Sequence, residues 1–368
     1  MAGFPFMRQA EAFRSSLPFI LLLAVFILPC PTSAAAKPRP AIAFVHLLLP
    51  PGGEPHASPT GWIGSLDRAR DTLESLRIPT IVSSASPGNA EDLNELSEMD
   101  PEVLITTSPL LYAAACDVAK RSPNTVFFAC TDETVHDNMS GFQARTYEAH
   151  YLAGLIAGAL SEDGVIGYLA NDPYQSKASR LRNANAFTLG AQKSKAAIRV
   201  LYAPGNDPDE ELKTLIAAGA DIVDLERALP SLVERLREHS VRYVGTAGRT
   251  VDPLCLAAPE WEWSNAFGDL LTQVRFGIWR PRNVSYGIKE GVVGLSPFGP
   301  AVPETVRVRV REAKKAIRNG VSPFEGPVRD VSGSLRIAEG SVPDDATLRG
   351  MDWRVQGLEP LPLTPDGL

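Results

Sequence analysis

The sequence predicts an α/β protein built as two lobes, each a doubly wound parallel sheet. Three observations carry this. Short apolar runs alternate with segments of about 10–15 residues whose apolar positions recur every three or four, the mark of βαβ units. The runs are almost continuously apolar, as expected of strands covered on both faces. At 368 residues the chain also exceeds what one hydrophobic core usually takes.

Taken in order, the chain opens with Arg8 and Arg14 ahead of an apolar run, Leu17–Leu28, followed by Pro29, Pro31 and Ser33-Ala34-Ala35-Ala36. A positive start, a short apolar core and small residues form a secretory signal peptide over residues 1–36. The run spans about 18 Å as a helix, short of the ~30 Å hydrocarbon core, and no later segment approaches the ~18 apolar residues a spanning helix needs. Cys30 suggests lipid attachment, but Pro29 stands where a lipoprotein signal carries a small residue. A lipid-anchored form is therefore not expected, and the mature chain from Lys37 is expected in the periplasm.

Ala41–Leu49 (AIAFVHLLL) reads as the first strand and Trp62–Leu76 as the first helix, with Ile63, Leu66, Ala69, Leu73 and Leu76 on one face. The alternation continues through Ile81–Ser83, Ala90–Glu98, Val103–Thr106, Leu110–Lys120 and Thr125–Ala129. A second series runs helix Glu148–Leu160, strand Val165–Leu169, helix Ser176–Lys193, strand Ile198–Tyr202, helix Asp209–Ala218, strand Ile222–Leu225, helix Leu229–Glu238 and strand Val241–Val244. Gly219 is a C-cap before Ile222. Beyond Pro259 the rhythm loosens into a strand-like Asn283–Val293 and a helix at Val302–Asn319. This places a first lobe at 37–145, to which part of 246–368 returns, and a second at 146–245, to which part of 280–320 returns. Residues 321–368, rich in Gly, Pro and Asp, are expected to wrap the surface.

Apolar residues at 44% and charged residues at 21% exclude a disordered chain, a collagen-like repeat and a polytopic membrane protein. With 36 Lys and Arg against 43 Asp and Glu the net charge is −7, which gives no electrostatic case for a nucleic-acid partner. Beyond the leader stand Cys116, Cys130 and Cys255. Cys116 and Cys130 fall on adjoining elements, so one bridge or three buried thiols both remain open. No G-x-G-x-x-G follows a strand, and there is no P-loop, nucleophile elbow or C-x-x-C. The five histidines lack metal-ligand spacing. His46 in a strand and His150 on a helix read as structural, whereas His136, beside Asp132 and Asp137 after a strand, is better placed for a site. No catalytic residue, metal or cofactor is singled out.

An exported, two-lobed α/β chain without a catalytic signature points to hinge closure around a small ligand, which then lies beyond the carboxyl ends of the strands. Trp62, opening the first helix, offers a ring for stacking. Phe187 is a candidate for the opposite face, although Phe at helical spacing is more often core. Of Trp261 and Trp263, one is expected in the core and the other lining the cleft.

These stretches resemble the basic membrane protein family, the periplasmic binding components of purine and nucleoside ABC importers. Arg145–Gly158 (RTYEAHYLAGLIAG), Asn185–Gly190 (NAFTLG), and Gly61-Trp62 with Asp67 and Arg70 are similar to family blocks. So are Trp261-Glu262-Trp263, Gly287–Gly299 (GIKEGVVGLSPFG), and Phe324-Glu325-Gly326-Pro327 followed by Met351-Asp352-Trp353. The ordered set covers nearly the whole mature chain. The resemblance implies a type I periplasmic binding fold with three interlobe crossovers, a multi-crossover hinge, and a purine held between rings. By position Trp62 would stack on one face and Phe187 on the other. Asp132 would contact the base, and Lys289 a ribose hydroxyl or polar edge. The implied partners are a purine-like ligand and an ABC permease in the inner membrane, with the binding protein expected as a monomer. Departures are Ser58-Pro59-Thr60-Gly61-Trp62 at the family's early acidic-serine-phenylalanine-asparagine element, and Gly205-Asn206-Asp207-Pro208 without one branch's tryptophan. Gly245-Thr246-Ala247-Gly248-Arg249 also stands where ribose-binding members carry a carboxylate. The expected function is a solute-binding protein of an importer, tilted toward a free base. The alternatives are a cleft enzyme acting on nucleosides and a ligand sensor not coupled to transport.

Overall fold

The computed structural model describes residues 40–48, 61–86, 88–131, 133, 136–172, 175–245 and 252–362. Residues 1–36, expected as a signal peptide, lie outside the described residues, Cys30 among them. Among the described residues no helix is long and apolar enough to cross a membrane.

The chain runs β1 (Ile42–Leu47), α1 (Trp62–Ser75), β2 (Thr80–Ala85), α2 (Glu91–Ser97), β3 (Val103–Thr106), a 3₁₀ turn, α3 (Tyr112–Ala119), β4 (Val126–Cys130) and β5 (Met139–Ala144). It continues through α4 (Thr146–Leu160), β6 (Val165–Leu169), α5 (Lys177–Ser194), β7 (Arg199–Ala203), α6 (Pro208–Ala217), β8 (Ile222–Leu225), α7 (Pro230–Glu238) and β9 (Arg242–Gly245). The return segments are β10 (Cys255–Ala257), β11 (Pro259–Trp261), α8 (Ser264–Arg275), β12 (Asn283–Tyr286), β13 (Val293–Leu295) and α9 (Glu304–Arg318). The tail adds β14 (Val328–Arg329), β15 (Leu335–Ile337), α10 (Asp345–Arg349) and β16 (Leu358–Pro360).

Two six-stranded sheets result, in the orders β12-β5-β4-β3-β1-β2 and β10-β9-β8-β6-β7-β16. Every pairing within them is parallel. The apolar runs of the sequence become their central strands: all six residues of β1 are buried, as are all four of β3 and of β8. The chain passes between the sheets after β5, after β10 and after β12, which makes three crossovers.

The return segments differ from expectation. Asn283–Val293 is not one strand but two, broken at the Gly287–Gly291 turn. Within 280–320, β12 pairs with β5 in the first sheet, β13 pairs antiparallel with β11, and α9 packs against α4. The second sheet is completed by β10 on one edge and by β16, from the tail, on the other. That tail is more than a surface wrap. Phe324, Met351, Val355 and Leu358 are buried in the core. Asn185 holds the tail from α5, donating through Nδ2 to the Trp353 carbonyl at 2.8 Å and accepting at Oδ1 from the Val355 amide at 2.9 Å.

No disulfide joins Cys116 to Cys130. Cys116 and Cys130 pack into different apolar clusters, so their elements adjoin while their side chains face apart. His46 is structural, buried between Thr107 Oγ1 and Asp67 Oδ1 at 3.2 Å from each.

The closest helix contact is between α4 and α5. A Cβ on Gly154 would meet the Phe187 carbonyl oxygen at 2.0 Å, one on Gly158 the Ala191 oxygen at 2.2 Å, and one on Gly190 the Tyr151 oxygen at 2.1 Å. The two backbones therefore touch, and overpacking such a contact costs about 1–3 kcal/mol or more. Gly268, in α8, meets nothing nearer than 3.9 Å. Gly154→Ala is expected to lower the urea midpoint markedly, whereas Gly268→Ala changes stability by no more than about 1 kcal/mol, in the stabilising direction. Equal effects from the two would contradict the packing.

Candidate functional site

A cavity of about 120 Å³ opens where the sequence argument places it, beyond the carboxyl ends of the parallel strands. On the first-sheet side it is lined by Trp62, by Cys130 at the end of β4, and by Gln143 and Ala144 at the end of β5. On the second-sheet side stand Asp172, just past β6, and Gln175, Ser176, Ser179, Arg182 and Asn183 leading into α5. Trp261 and Thr146, from the crossovers, close it between the two.

The first wall is aromatic. Trp62 opens α1, and its indole donates through Nε1 to the Thr107 carbonyl at 2.8 Å, which fixes the ring over the end of β3. Phe142 stacks near-parallel at 6.4 Å and 14°. Trp261 and Trp263 meet Trp62 nearly edge-on, at 5.8 and 5.3 Å. Trp261 donates to Thr146 Oγ1 at 3.2 Å. Trp261 lines the cavity, while Trp263, also a candidate for the ligand, is fully buried and stacks on Phe267 at 5.5 Å.

Phe187 is not on the second wall. It is fully buried, packed against Tyr168 at 5.5 Å, and absent from the cavity lining. The reason is its depth along α5. Asn183 and Phe187 are four residues apart and share a helix face, but the turn nearest the cavity carries Asn183 and the turn below enters the core. Lys289 is exposed, in the turn after β12, and does not line the cavity. Its neighbours do the local work: the Ile288 amide donates to Glu148 Oε2 at 2.6 Å, and Glu290 lies 3.5 Å from Arg145. Asp132 lies outside the described residues, as do Thr246–Arg249. Asp252, the next carboxylate along the chain, is buried and held by Arg237, the Tyr243 hydroxyl and the Leu254 amide.

The sequence reading missed the polar second wall and what lies behind it. Gln175 Nε2 donates to Asp172 Oδ2 at 3.0 Å, and Asn183 Nδ2 donates to Gln175 Oε1 at 2.8 Å and to Glu226 Oε1 at 3.4 Å. Glu226, buried just after β8, also accepts from the Tyr168 hydroxyl at 2.8 Å. Deeper still, His150 Nδ1 lies 3.1 Å from Asp224 Oδ2, both buried. The only signal in the sequence was position: Asp172 and Glu226 each follow a strand. Among the described residues no group of three or more His, Cys, Asp or Glu is placed to hold a metal.

A larger groove, about 590 Å³, shares Trp261 alone with this cavity among the described residues and is lined by charges of both signs, among them Arg68, Glu260, Glu262 and Lys314. It borders β11 and β13, away from the carboxyl ends of the parallel strands, so the smaller cavity is the better site candidate.

A family model described as ABC transporter substrate-binding protein PnrA-like, Bmp, matches residues 66–217. The matched segment runs from α1 to α6 and carries most of the second wall. The chain is 28% identical over 344 residues to a purine-binding protein of Brucella abortus (strain 2308), covering 89% of this chain and 95% of that protein. It is also 28% identical over 307 residues to a Haloferax volcanii protein named for glucose binding by an ABC transporter, covering 77% and 78%. Among solved structures, a solute-binding protein of Conexibacter woesei DSM 14684 aligns at TM-score 0.60 with 17% identity, over 76% of this chain and 97% of that one. One from Aeropyrum pernix K1 aligns at 0.59 with 16% identity, over 79% and 93%. The architecture is thus the type I periplasmic binding fold.

Burial pushes the carboxyls of Glu226 and Glu148 up to about 7. For His150 burial acts downward, but the charge and hydrogen bond of Asp224 outweigh it and raise the imidazole. All three groups hold a proton more tightly folded than unfolded. For the two glutamates the stability this contributes is full below their unfolded values and is lost as pH rises through about 7, and that of His150 is lost as pH rises through its own raised value. The melting midpoint is expected to fall from about pH 5 to about pH 8, and Glu226→Gln to flatten that fall. A midpoint that climbs over this range would contradict the assignment.

Proposed function

We propose that this protein is the extracytoplasmic solute-binding component of an ABC importer and holds a purine base or nucleoside-like ligand in the cavity between Trp62, Trp261 and the Asp172–Asn183 wall. The observation that carries the reading is the geometry of Trp62. Its ring lines the cavity, is pinned by Thr107, and has Phe142 stacked on one face. Such a ring is preorganised for stacking, and little side-chain entropy is lost when a flat heterocycle lies on it. The purine-binding Brucella relative, matched over nearly its whole length, supports this ligand class over a sugar. In this reading the protein performs no chemistry; it is exported by its leader, acts as a monomer, and passes the ligand to a permease.

Phe187 has no part in the proposed contact, so the second face of the ring is met by the polar wall. Lys289 is likewise left out. Asp132, after β4, stays a proposed contact to the base.

One observation favours a second reading. Asp172 stands in the cavity with Glu226 behind it, linked through two hydrogen-bonded residues, Gln175 and Asn183, and two carboxylates are the equipment of glycoside cleavage. Incubation with adenosine and inosine separates the two: unchanged nucleoside is expected, and released base would establish hydrolysis.

The binding reading is tested by calorimetric titration with adenine, guanine, hypoxanthine and their nucleosides. Binding of at least one is expected, and none at millimolar concentration would overturn the purine assignment. Trp62→Ala is expected to weaken the bound purine by about 1–3 kcal/mol, the usual worth of a base–aromatic stack. Unchanged affinity in that variant would remove Trp62 from the site.

A further inference from the structure

Resting on the purine reading for the ligand, we infer that His46 and Asp67 are positioning residues for Trp62. Together they hold α1 on Thr107, the residue that receives the Trp62 indole, and so set where that ring stands in the cavity. Neither side chain lines the cavity itself.

Trp62 is the first residue of α1, and the start of the helix does little to hold it. Gly61 at the N-cap offers no side chain to the first turn. The neighbouring rings leave freedom too: Phe142 lies along one face, and Trp261 and Trp263 meet the indole nearly edge-on. Ring contacts tolerate centroid distances over about 4.5–7 Å, so the indole can slide and turn in its own plane. A hydrogen bond is directional, and the one that fixes the indole runs from Nε1 to the Thr107 carbonyl at 2.8 Å.

Thr107 is itself anchored. It is fully buried, and its amide and hydroxyl both donate to the Val45 carbonyl, at 3.0 and 3.1 Å. His46, the next residue of β1, is also buried and places Nδ1 3.2 Å from the Thr107 hydroxyl oxygen. Its other ring nitrogen, Nε2, lies 3.2 Å from Asp67 Oδ1. A carboxylate oxygen accepts, so the hydrogen of this contact sits on Nε2. Asp67 stands on α1 beyond Trp62, about 7.5 Å further along the helix axis. The helix therefore reaches Thr107 at two points, directly through the Trp62 indole and indirectly through Asp67 and His46. Two separated points fix both the place of the helix and its rotation, where one would leave a pivot. Without His46 the indole bond depends on an uncapped helix start, and a binding group must be held within about 0.5 Å of its productive place.

The test reads the indole directly. In the ligand-free full chain, solvent exchange of each indole N–H is followed by NMR, with Trp62→Phe and Trp261→Phe identifying the two signals by their loss. In His46→Ala the Trp62 N–H is expected to exchange at least tenfold faster, while the Trp261 N–H, bonded to Thr146 Oγ1, stays within twofold. Asp67→Ala is expected to act as His46→Ala does, and Asp67→Asn, which keeps an acceptor oxygen, to stay within threefold of the parent. Asp67 is only half-buried, so this second pair decides the matter if His46→Ala does not fold. Calorimetry with a purine that the parent binds adds the functional arm. His46→Ala is expected to weaken that purine at least fivefold, but less than twofold when Trp62 is already Ala. Unchanged Trp62 exchange, equal acceleration of Trp62 and Trp261, or unchanged affinity despite faster exchange would each overturn the inference and leave the purine reading intact. Binding of no purine would overturn that reading, and the exchange rates alone would then decide whether His46 and Asp67 position the ring.

Discussion

The cluster of Trp62, Phe142, Trp261, Trp263 and Phe267 is the constraint that the site rests on. Its rings come from α1, β5, β11 and α8, segments separated by up to two hundred positions in the sequence, and they meet where the chain passes between the sheets. Trp263 and Phe267 are wholly buried and stack at 9°, which gives Trp62 a rigid edge to stand against. Aromatic contacts of this kind are worth about 0.5–1.5 kcal/mol each beyond the area they bury. The return segments are thereby tied to the first sheet, and one ring is left at the cavity.

Against that wall stands one of opposite character. Placing Asp172, Glu226, Asp224 and His150 in or near a protein interior is costly unless each is hydrogen-bonded or paired. One oxygen of each buried carboxylate is paired, Tyr168 and Asn183 serving Glu226 Oε1 and His150 facing Asp224 Oδ2, while Glu226 Oε2 and Asp224 Oδ1 have no partner among the described residues. Such a network is a poor choice for stability alone, since apolar residues of the same volume would fill the space as well. Its outer members, Asp172 and Glu226, stand just past β6 and β8, at the end of the sheet beyond which ligands lie in open α/β sheets.

Much of the fold was legible because it rests on buried parallel strands. Val103–Thr106, Val165–Leu169 and Ile222–Leu225 are found as read, since a strand covered on both faces must be apolar throughout. The strand Met139–Ala144 was not legible: Gly141 and Gln143 interrupt the apolar run, and only its neighbours β4 and β12 make it a strand. The return of β12 to the first sheet and of β16 to the second is likewise written in tertiary contacts and not in any local pattern. In the site, Trp62 and Trp261 were legible because large aromatic residues after strands have few structural reasons to be there. Phe187 misled because spacing along a helix gives a face but no depth. Asp172, Gln175, Asn183 and Glu226 were invisible as a group, because their meeting depends on two strands ending side by side.

The central claim is that a purine lies between an aromatic wall and a polar wall. The most direct measurement is a crystal structure of the protein grown with adenine or adenosine. The account predicts the ring lying on Trp62, beside Trp261, with a polar group of the ligand within hydrogen-bond distance of the Asp172–Asn183 wall. A purine bound elsewhere, such as the charged groove beyond Trp261, or lying in the cavity away from Trp62, would contradict it.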